Sequence, residues 1–266
     1  MSSHDTRRYL QAGLDAVLAA GPIALEYFRK PVTVDDKRKG GQYDPVTEAD
    51  RRIELVIRDR LLQAFPHHRV VGEEHGSQGD GPACWFIDPI DGTRAFISGM
   101  PTWGILLGLV VDDRPRVGIV HQPFTRETWY AAEGVGAWLR VGPDESPLRA
   151  RADASLADAV LYSTHPSMFR DPVLLRRYDD LAGRCRLQRW GGDCYAFALV
   201  AQGGIDLMVD SGLMPYDIVP LVPIIEGAGG VVTDLQGRVP LAGGTVIAAA
   251  NRTLHAAALE IMTEGA

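Results

Sequence analysis

The segment 85–93 constrains this chain more than any other, because it joins an apolar strand pattern to a closely spaced pair of acids. Trp-Phe-Ile at 85–87 is typical of a buried strand, and Asp88 and Asp91 follow it on a turn that a proline stiffens and a glycine opens. Two carboxylates at this spacing can converge on one hard cation, with the Ile90 carbonyl oxygen between them. The segment therefore indicates a metal site at the end of a strand.

The end of the same segment is suited to phosphate. Gly92 and Thr93 would present backbone N–H groups at a helix start, where free donors and the helix dipole favour an anion. For an isolated Asp-x-x-Asp, an acidic turn with an aspartate helix cap is the better interpretation. That interpretation is disfavoured here, because other acids in the chain have no evident structural role. They are Asp50 on a predicted helix, Glu73 and Glu74 after a short strand, and Asp217 before an apolar helix.

Gathered in one site, these acids would repel one another strongly. Asp50, Glu73, Asp88, Asp91 and Asp217 bring five charges of one sign, and no counter-ion is supplied by the motifs themselves. Divalent cations together with a phosphate dianion would remove that conflict. This combination is typical of metal-assisted phosphoryl transfer.

Hydrophobic periodicity predicts an α+β first half, 1–150, and an α/β second half, 151–266, that share one active site as a single catalytic unit. We expect a mobile polar loop at 30–46 and find neither an internal repeat nor a flexible linker. The predicted helices are 9–28, with a kink or restart at Pro22, then 47–65, 172–182, 194–202 and 218–226. The predicted strands are 69–72, 85–87, 103–111, 116–121, 127–131, 159–163, 186–189, 205–209 and 231–232.

Composition excludes several classes of protein. A formal charge of −7 with no basic stripe argues against nucleic-acid binding, although bound cations would still allow a phosphate substrate. Three cysteines without C-x-x-C spacing favour a reducing cytoplasm over a disulfide framework or a zinc site. Apolar runs are strand-sized and the start shows no signal-peptide pattern, so we expect a cytoplasmic protein with no membrane segment.

Three motifs follow one another along the chain: Gly-Glu-Glu at 72–74, Asp-Pro-Ile-Asp-Gly-Thr at 88–93, and Tyr216-Asp217 followed by Glu-Gly-Ala-Gly-Gly at 226–230. Their joint order resembles the inositol monophosphatase superfamily over nearly the whole chain. The resemblance implies an α+β fold, the layered αβαβα sandwich of the inositol monophosphatase and fructose-1,6-bisphosphatase type, usually a homodimer. It also implies in-line attack of an activated water on a small phosphorylated metabolite, without a phosphoenzyme.

The same resemblance assigns roles to individual residues. Two or three Mg²⁺ ions would be held by Glu73, Asp88, the Ile90 carbonyl, Asp91 and Asp217. Thr93, hydrogen-bonded toward Glu73, would position the attacking water, and Asp50 would hold water around a weaker third ion. The amides of Gly92 and Thr93 would bind the phosphate oxygens.

Three further segments resemble the histidinol-phosphate phosphatase branch: Thr-Arg-Ala-Phe-Ile-Ser-Gly at 93–99, Trp-Gly-Gly-Asp-Cys-Tyr at 190–195 and Gly-Leu-Met-Pro-Tyr-Asp at 212–217, where Met214 departs from the usual lysine. Histidinol phosphate carries cationic groups, so we expect Asp193 and Asp210 to bind its non-phosphate end. For Asp193 an N-cap of the following helix is an equally good interpretation. For Asp210 the alternative is a solvated acid at a strand end.

Several roles and activities stay open at the level of sequence. Arg94 is either a substrate-side group or a salt-bridge partner, and Lys39 either reaches the metal site or is solvated. The rival activity is an inositol-1-phosphatase or a broad-specificity sugar-phosphate phosphatase. A role mainly as a protein-binding partner is disfavoured, because every expected metal ligand is intact.

Overall fold

A computed structural model of the protein describes residues 3–31, 33–36 and 45–264. Within these residues, none of the helices combines the length and the apolar character needed to cross a membrane. The helices are α1 Ser3–Tyr27, α2 Glu48–Ala64, α3 Thr93–Ser98, α4 Pro172–Arg184, α5 Asp193–Gln202, α6 Pro215–Ile218, α7 Leu221–Gly227 and α8 Arg252–Thr263. The strands are β1 Val34–Asp36, β2 Pro45–Thr47, β3 Arg69–Gly72, β4 Gly76–Gln78, β5 Cys84–Asp91, β6 Gly104–Val111, β7 Arg114–Gln122, β8 Glu127–Ala132, β9 Gly136–Val141, β10 Asp144–Pro147, β11 Val160–Ser163, β12 Leu187–Trp190, β13 Leu207–Leu213, β14 Val231–Asp234 and β15 Gly244–Ala249.

The helices and the two larger sheets stack in five layers. Helices α1 and α2 cover one face of an eight-stranded sheet of order β10-β9-β8-β7-β6-β5-β3-β4. Helices α5, α6 and α7 lie between this sheet and a five-stranded sheet of order β12-β11-β13-β15-β14. Helices α4 and α8 cover the outer side of the five-stranded sheet. The predicted αβαβα sandwich is confirmed.

The strand at the centre of the large sheet shows why the sequence folds in this way. Seven of the eight residues of β6 are buried, so it reads as a continuous apolar run and not as an alternating one. Its neighbours β5 and β7 pair with it antiparallel, and β3 pairs with β5 in parallel. Because β3 and β5 run parallel, their carboxyl ends lie side by side at the same end of the sheet. The acids at and after those two ends are therefore neighbours.

The two halves share a hydrophobic core. Leu106 and Trp129 of the large sheet belong to the same buried cluster as Phe197 on α5. Gly118 on β7 allows the chain at Pro220 to approach closely, because a Cβ at position 118 would lie 1.9 Å from the Pro220 carbonyl oxygen. The single catalytic unit expected for 1–266 remains a proposal, and this shared core supports it.

Several elements differ from those predicted. Helix α1 begins at Ser3 and continues through Pro22 without a restart. The loop predicted at 30–46 is wrong at 34–36 and 45–46, because these residues form a two-stranded sheet in which Val34 pairs with Thr47. Lys39 lies outside the described residues. Strands β9 and β10 and the C-terminal elements β15 and α8 were not predicted, although Asn251 is a clear N-cap of α8, its side chain accepting from Leu254 N.

Candidate active site

The turn that carries Asp88 and Asp91 is a break in the β5–β6 ladder. Asp88 lies opposite Leu106, and the register then shifts before Asp91 pairs with Gly104. Such an irregularity redirects side chains at the end of a strand. The Asp88 carboxylate is fixed locally, because its Oδ1 accepts from Ile90 N at 3.1 Å.

Asp217 joins these two acids from the other half of the chain. One carboxylate oxygen from each of Asp88, Asp91 and Asp217 lies within 4.8 Å of the others. Asp217 stands in the first turn of α6, where its Oδ2 accepts from Met214 N at 2.8 Å. The structure thus brings together three of the predicted metal ligands from both halves.

A hydrogen bond between the halves holds Asp91. Its Oδ2 accepts from the backbone N–H of Cys194 at 2.7 Å, across 103 positions of the chain. Cys194 lies in the first turn of α5, where unpaired amides and the helix dipole favour a carboxylate. Asp91 therefore links the end of β5 to the first turn of α5.

Asp50 and Glu73 lie outside the group of three aspartates, close enough for their charges to act on Asp88. Asp50 is almost fully buried in a capping box, and its Oδ2 accepts from Thr47 N at 2.8 Å and from Thr47 Oγ1 at 2.6 Å. The Thr47-x-x-Asp50 pattern before an apolar run is a sequence signal that could have identified this cap. Glu73 follows β3, and its N–H donates to the Ile87 carbonyl at 3.3 Å.

The electrostatics show that these acids form one group. Burial raises the pKa of Asp88 well above its ordinary value, and the charges of Glu73, Asp91, Asp217 and Asp50 raise it further. Burial likewise raises the pKa of Asp50 to about 6, against the opposing effect of its hydrogen bonds to Thr47. Burial also raises the pKa of Asp217, with Asp91 as the next cause.

The cluster fits a hard divalent cation. Its donors are carboxylate oxygens, and such a cation would offset the mutual repulsion that raises their pKa values. Sulfur and imidazole ligands, which would favour zinc, are absent from this group of acids in the part of the chain that the structure describes.

Thr93 has a partner close by in the chain. Its hydroxyl donates to the Ile90 carbonyl oxygen at 3.0 Å, and the expected hydrogen bond toward Glu73 stays a prediction. The contact with Ile90 is local, since Thr93 opens α3 three residues after it. The roles of Thr93 in orienting water and of Gly92 and Thr93 in binding phosphate stay predictions.

The N-cap interpretation of Asp193 is wrong. Gly192 occupies the cap position, and Asp193 is the first residue of α5, in the left-handed region at φ 46°. A left-handed non-glycine residue is strained, and such strain is concentrated at functional sites. The Asp193 side chain packs against Gly92, where a Cβ would lie 3.1 Å from the Asp193 Cβ.

Burial and neighbouring charges together shift the pKa of Asp193. Burial raises the pKa of Asp193 well above its ordinary value, and the charges of Asp91 and Asp210 raise it further. The exposed Arg94 acts in the opposite direction, so it lies on the Asp193 side of the site. Asp193 is thus an acid in a negative environment that a cationic group would relieve.

Asp210 is not the solvated acid that the alternative interpretation expected. It is 1% exposed, and its Oδ1 accepts from Ser163 Oγ at 2.7 Å and Thr164 N at 2.8 Å. Its Oδ2 accepts from Thr164 Oγ1 at 2.7 Å. Burial raises the pKa of Asp210 to about 6, although these hydrogen bonds lower it. Asp210 fixes the end of β11, and its contact with substrate stays a prediction.

Nearly the whole chain is similar to known proteins. The model of the inositol monophosphatase family matches residues 5–265. The bifunctional phosphatase IMPL2 of Arabidopsis thaliana chloroplasts is 35% identical over 98% of this chain and 76% of its own length. A histidinol-phosphatase from Chlorobaculum parvum is 35% identical over 92% of this chain and 93% of its own. The structure of an inositol monophosphatase from Zymomonas mobilis matches with a TM-score of 0.85 and 36% identity, over 98% of this chain and 99% of that one.

Proposed function

The chain belongs to the inositol monophosphatase family, and we propose that it is a magnesium-dependent phosphatase whose substrate is histidinol phosphate. The observation that carries the proposal is the convergence of Asp88, Asp91 and Asp217 from both halves of the chain. A homodimer in the cytoplasm belongs to the same proposal and rests on the family resemblance and on the free cysteines.

The residues that would hold two or three Mg²⁺ ions are Asp88, Asp91 and Asp217, with Glu73 and the Ile90 carbonyl. A divalent cation held there supplies Lewis-acid stabilisation of the phosphoryl charge and makes water a stronger nucleophile. Each of the three aspartates accepts a backbone N–H, so its carboxylate is held in place before a ligand binds. Such preorganisation is what electrostatic catalysis requires.

The remaining residues would orient the phosphate and water. Thr93 and Gly92 stand at the start of α3 and would direct their amides at phosphate oxygens. Asp50, anchored by Thr47, would hold a water molecule around a weaker third ion. None of these roles requires a covalent bond between phosphate and the chain.

The preference for a cationic leaving group rests on Asp193. It does not cap α5, it contacts Gly92 of the predicted phosphate-binding turn, and two neighbouring acids surround it with negative charge. An ammonium or imidazolium group would relieve that repulsion and gain a charge-assisted hydrogen bond. The protein from Chlorobaculum parvum and the structure from Zymomonas mobilis are 35% and 36% identical to this chain, so overall identity does not choose between their named substrates.

Inositol 1-phosphate is the second candidate substrate, and the match to the Zymomonas mobilis inositol monophosphatase favours it. Phosphate release from histidinol phosphate, inositol 1-phosphate and fructose 1,6-bisphosphate, measured side by side with Mg²⁺, separates the candidates. We expect kcat/KM to be at least about tenfold higher for histidinol phosphate, equivalent to one charge-assisted contact. A preference for either of the other two esters would overturn histidinol phosphate as the proposed substrate. Absence of phosphate release from all three esters would overturn the proposed phosphatase activity.

A further inference from the structure

A buried ion pair lies beneath the turn that carries Glu73. Glu54 and Arg58 are neighbours on one face of α2, 0% and 4% exposed. Arg58 Nη2 donates to Glu54 Oε1 at 2.7 Å. Burying two charges carries a large desolvation cost, which further hydrogen bonds must offset. Both Glu54 oxygens and both terminal Arg58 nitrogens make such bonds, whereas the buried Arg58 Nε has no hydrogen-bond partner among the described residues.

Those further hydrogen bonds go to the backbone around Glu73. Glu54 Oε2 accepts from the N–H of Glu74 at 2.6 Å, and Glu54 Oε1 accepts from the N–H of His75 at 3.1 Å. Arg58 donates from Nη2 to the Gly76 carbonyl at 2.8 Å and from Nη1 to the Val70 carbonyl at 3.2 Å. The pair therefore holds the chain on both sides of Glu73.

The glycine before Glu73 makes this contact possible. A Cβ at position 72 would lie 2.1 Å from Glu54 Oε1, which is far closer than two such atoms can approach. The Glu54 carboxylate thus lies directly against the backbone of Gly72. This steric requirement explains, from the geometry of this chain, why the residue before the two glutamates is a glycine.

We infer that Glu54, held by Arg58, is a positioning residue that sets the direction of the Glu73 carboxylate and thereby the affinity of the site for divalent cations. The inference rests on the proposed function, because it takes Glu73 as a metal ligand. Glu54 would act through the backbone of 72–76 and would touch neither cation nor substrate. Glu73 follows β3, whose last residue pairs with Ile87, so its direction determines how it meets Asp88.

The test is the Glu54→Gln variant, which keeps the shape of the side chain and removes its charge. We expect the dissociation constant for Mn²⁺ alone, measured from the free Mn²⁺ signal in electron paramagnetic resonance, to rise about tenfold or more, because each lost charged acceptor is worth about that factor. The Mg²⁺ concentration for half-maximal activity should rise in parallel. At saturating Mg²⁺, the KM for substrate should change by less than about threefold, since Glu54 lies away from the substrate.

Arg58→Lys tests the same inference if the first variant folds poorly. The lysine keeps the charge but loses the fork that reaches both carbonyls, so Mn²⁺ binding should weaken in the same direction and by less. The matched control is Asp206→Asn in the other half. Asp206 is 2% exposed, accepts from Val160 N at 2.8 Å and pairs with Arg151 Nε at 3.2 Å. Asp206 precedes β13, whereas the predicted metal ligand Asp217 follows β13.

The control should lower the melting temperature as Glu54→Gln does and leave Mn²⁺ affinity within about twofold of wild type. Equal Mn²⁺ affinities for Glu54→Gln, Arg58→Lys and Asp206→Asn would overturn the inference and leave the proposed function intact. A wild-type protein that binds no Mn²⁺ and hydrolyses no ester would overturn the proposed function, and the inference with it.

Discussion

The acids predicted to bind metal and those predicted to bind substrate are held in different ways. Of the predicted metal ligands, Asp88, Asp91 and Asp217 each accept one backbone N–H, from Ile90, Cys194 and Met214, at 2.7–3.1 Å. Asp50, predicted to hold water around a third ion, likewise accepts from Thr47 N at 2.8 Å. An ionised carboxylate has about four acceptor positions, so one amide fixes its direction and leaves capacity for a cation. The same contact, a backbone N–H donated to the carboxylate, thus orients each of these four acids, which we call the metal side.

The two acids of the substrate side are held differently from each other, and within the described residues only Asp210 accepts a backbone N–H, from Thr164 at 2.8 Å. Asp210 uses both oxygens in three hydrogen bonds to Ser163 and Thr164, whereas Asp193 is placed by a left-handed backbone and by contact with Gly92. From this difference we predict that backbone amides orient the metal ligands whatever the substrate. We also predict that substrate choice depends on side chains that can change without disturbing those ligands.

Asp91→Asn should produce the largest effect. The amide oxygen can still accept from Cys194 N, so α5 should stay in place, but the negative charge between the metal ligands is lost. We expect kcat/KM to fall by about 10³-fold or more, since a metal ion is worth several kcal/mol of transition-state stabilisation. Activity in saturating Mg²⁺ and the melting temperature are measured together. Activity within about tenfold of wild type would contradict the assignment of the metal side.

Exchange of the cation tests the same side without a mutation. EDTA should remove activity reversibly, and Mg²⁺ should restore it while Ca²⁺ does not. Ca²⁺ is larger and accepts loose coordination at about 2.3–2.6 Å, whereas Mg²⁺ requires near-octahedral ligands at about 2.0–2.1 Å. Carboxylates fixed by backbone amides should discriminate between these sizes. Full activity in a calcium-only buffer counts against a rigid metal side.

The metal side was largely predictable from sequence, and the reason is physical. Asp88, Asp91 and Asp217 stand in turns whose proline, glycine and strand or helix boundaries are visible locally. The cap formed by Thr47 and Asp50 is also visible in the sequence as a capping-box pattern. The αβαβα layers follow from the apolar runs and from the family resemblance.

The remaining features depend on contacts between distant parts of the chain. No local pattern predicts that Cys194 N binds Asp91, because the two residues are 103 positions apart. Asp193 looked like an N-cap because an acid before an apolar helix usually is one, and only the left-handed φ of Gly192 and Asp193 shows that the helix begins one residue earlier. The Glu54 and Arg58 pair appears in sequence as an ordinary i, i+4 pair on a helix surface.

Asp193→Asn should have a smaller effect that depends on the substrate. If the carboxylate pairs with the ammonium or imidazolium of histidinol phosphate, its loss should cost about 1.5–3 kcal/mol, or a ten- to hundredfold drop in kcat/KM. Hydrolysis of p-nitrophenyl phosphate, whose leaving group carries no cation, should hardly change. Since Asp193 is not the cap of α5, the melting temperature should not report a lost cap.

Parallel losses on both esters would give Asp193 a role in the metal side and erase the distinction between the two regions. No loss on either ester would leave the histidinol-phosphate preference to sequence resemblance alone. Both results leave the ratio of the two kcat/KM values as it is in wild type, so the separate value for each ester distinguishes them.

Asp210→Asn should have the smallest effect on catalysis of these changes, because the variant keeps the contacts that hold the end of β11. Asn can accept from Ser163 and Thr164 N through its oxygen and donate to the Thr164 hydroxyl, so the hydrogen bonds persist.

Burial raises the pKa of Asp210 from 3.8 to about 6, so the folded state binds its proton more tightly than the unfolded state does. The stability this gives is fully present below about pH 4 and is lost as pH rises through about 6. In EDTA, the free energy of unfolding of wild type should therefore fall between pH 4.5 and 7.5 by on the order of 2 kcal/mol more than that of the variant, measured by denaturant titration at each pH. Equal falls for the two proteins would mean that Asp210 titrates in the folded state as it does in the unfolded chain, and that its three hydrogen bonds offset its burial.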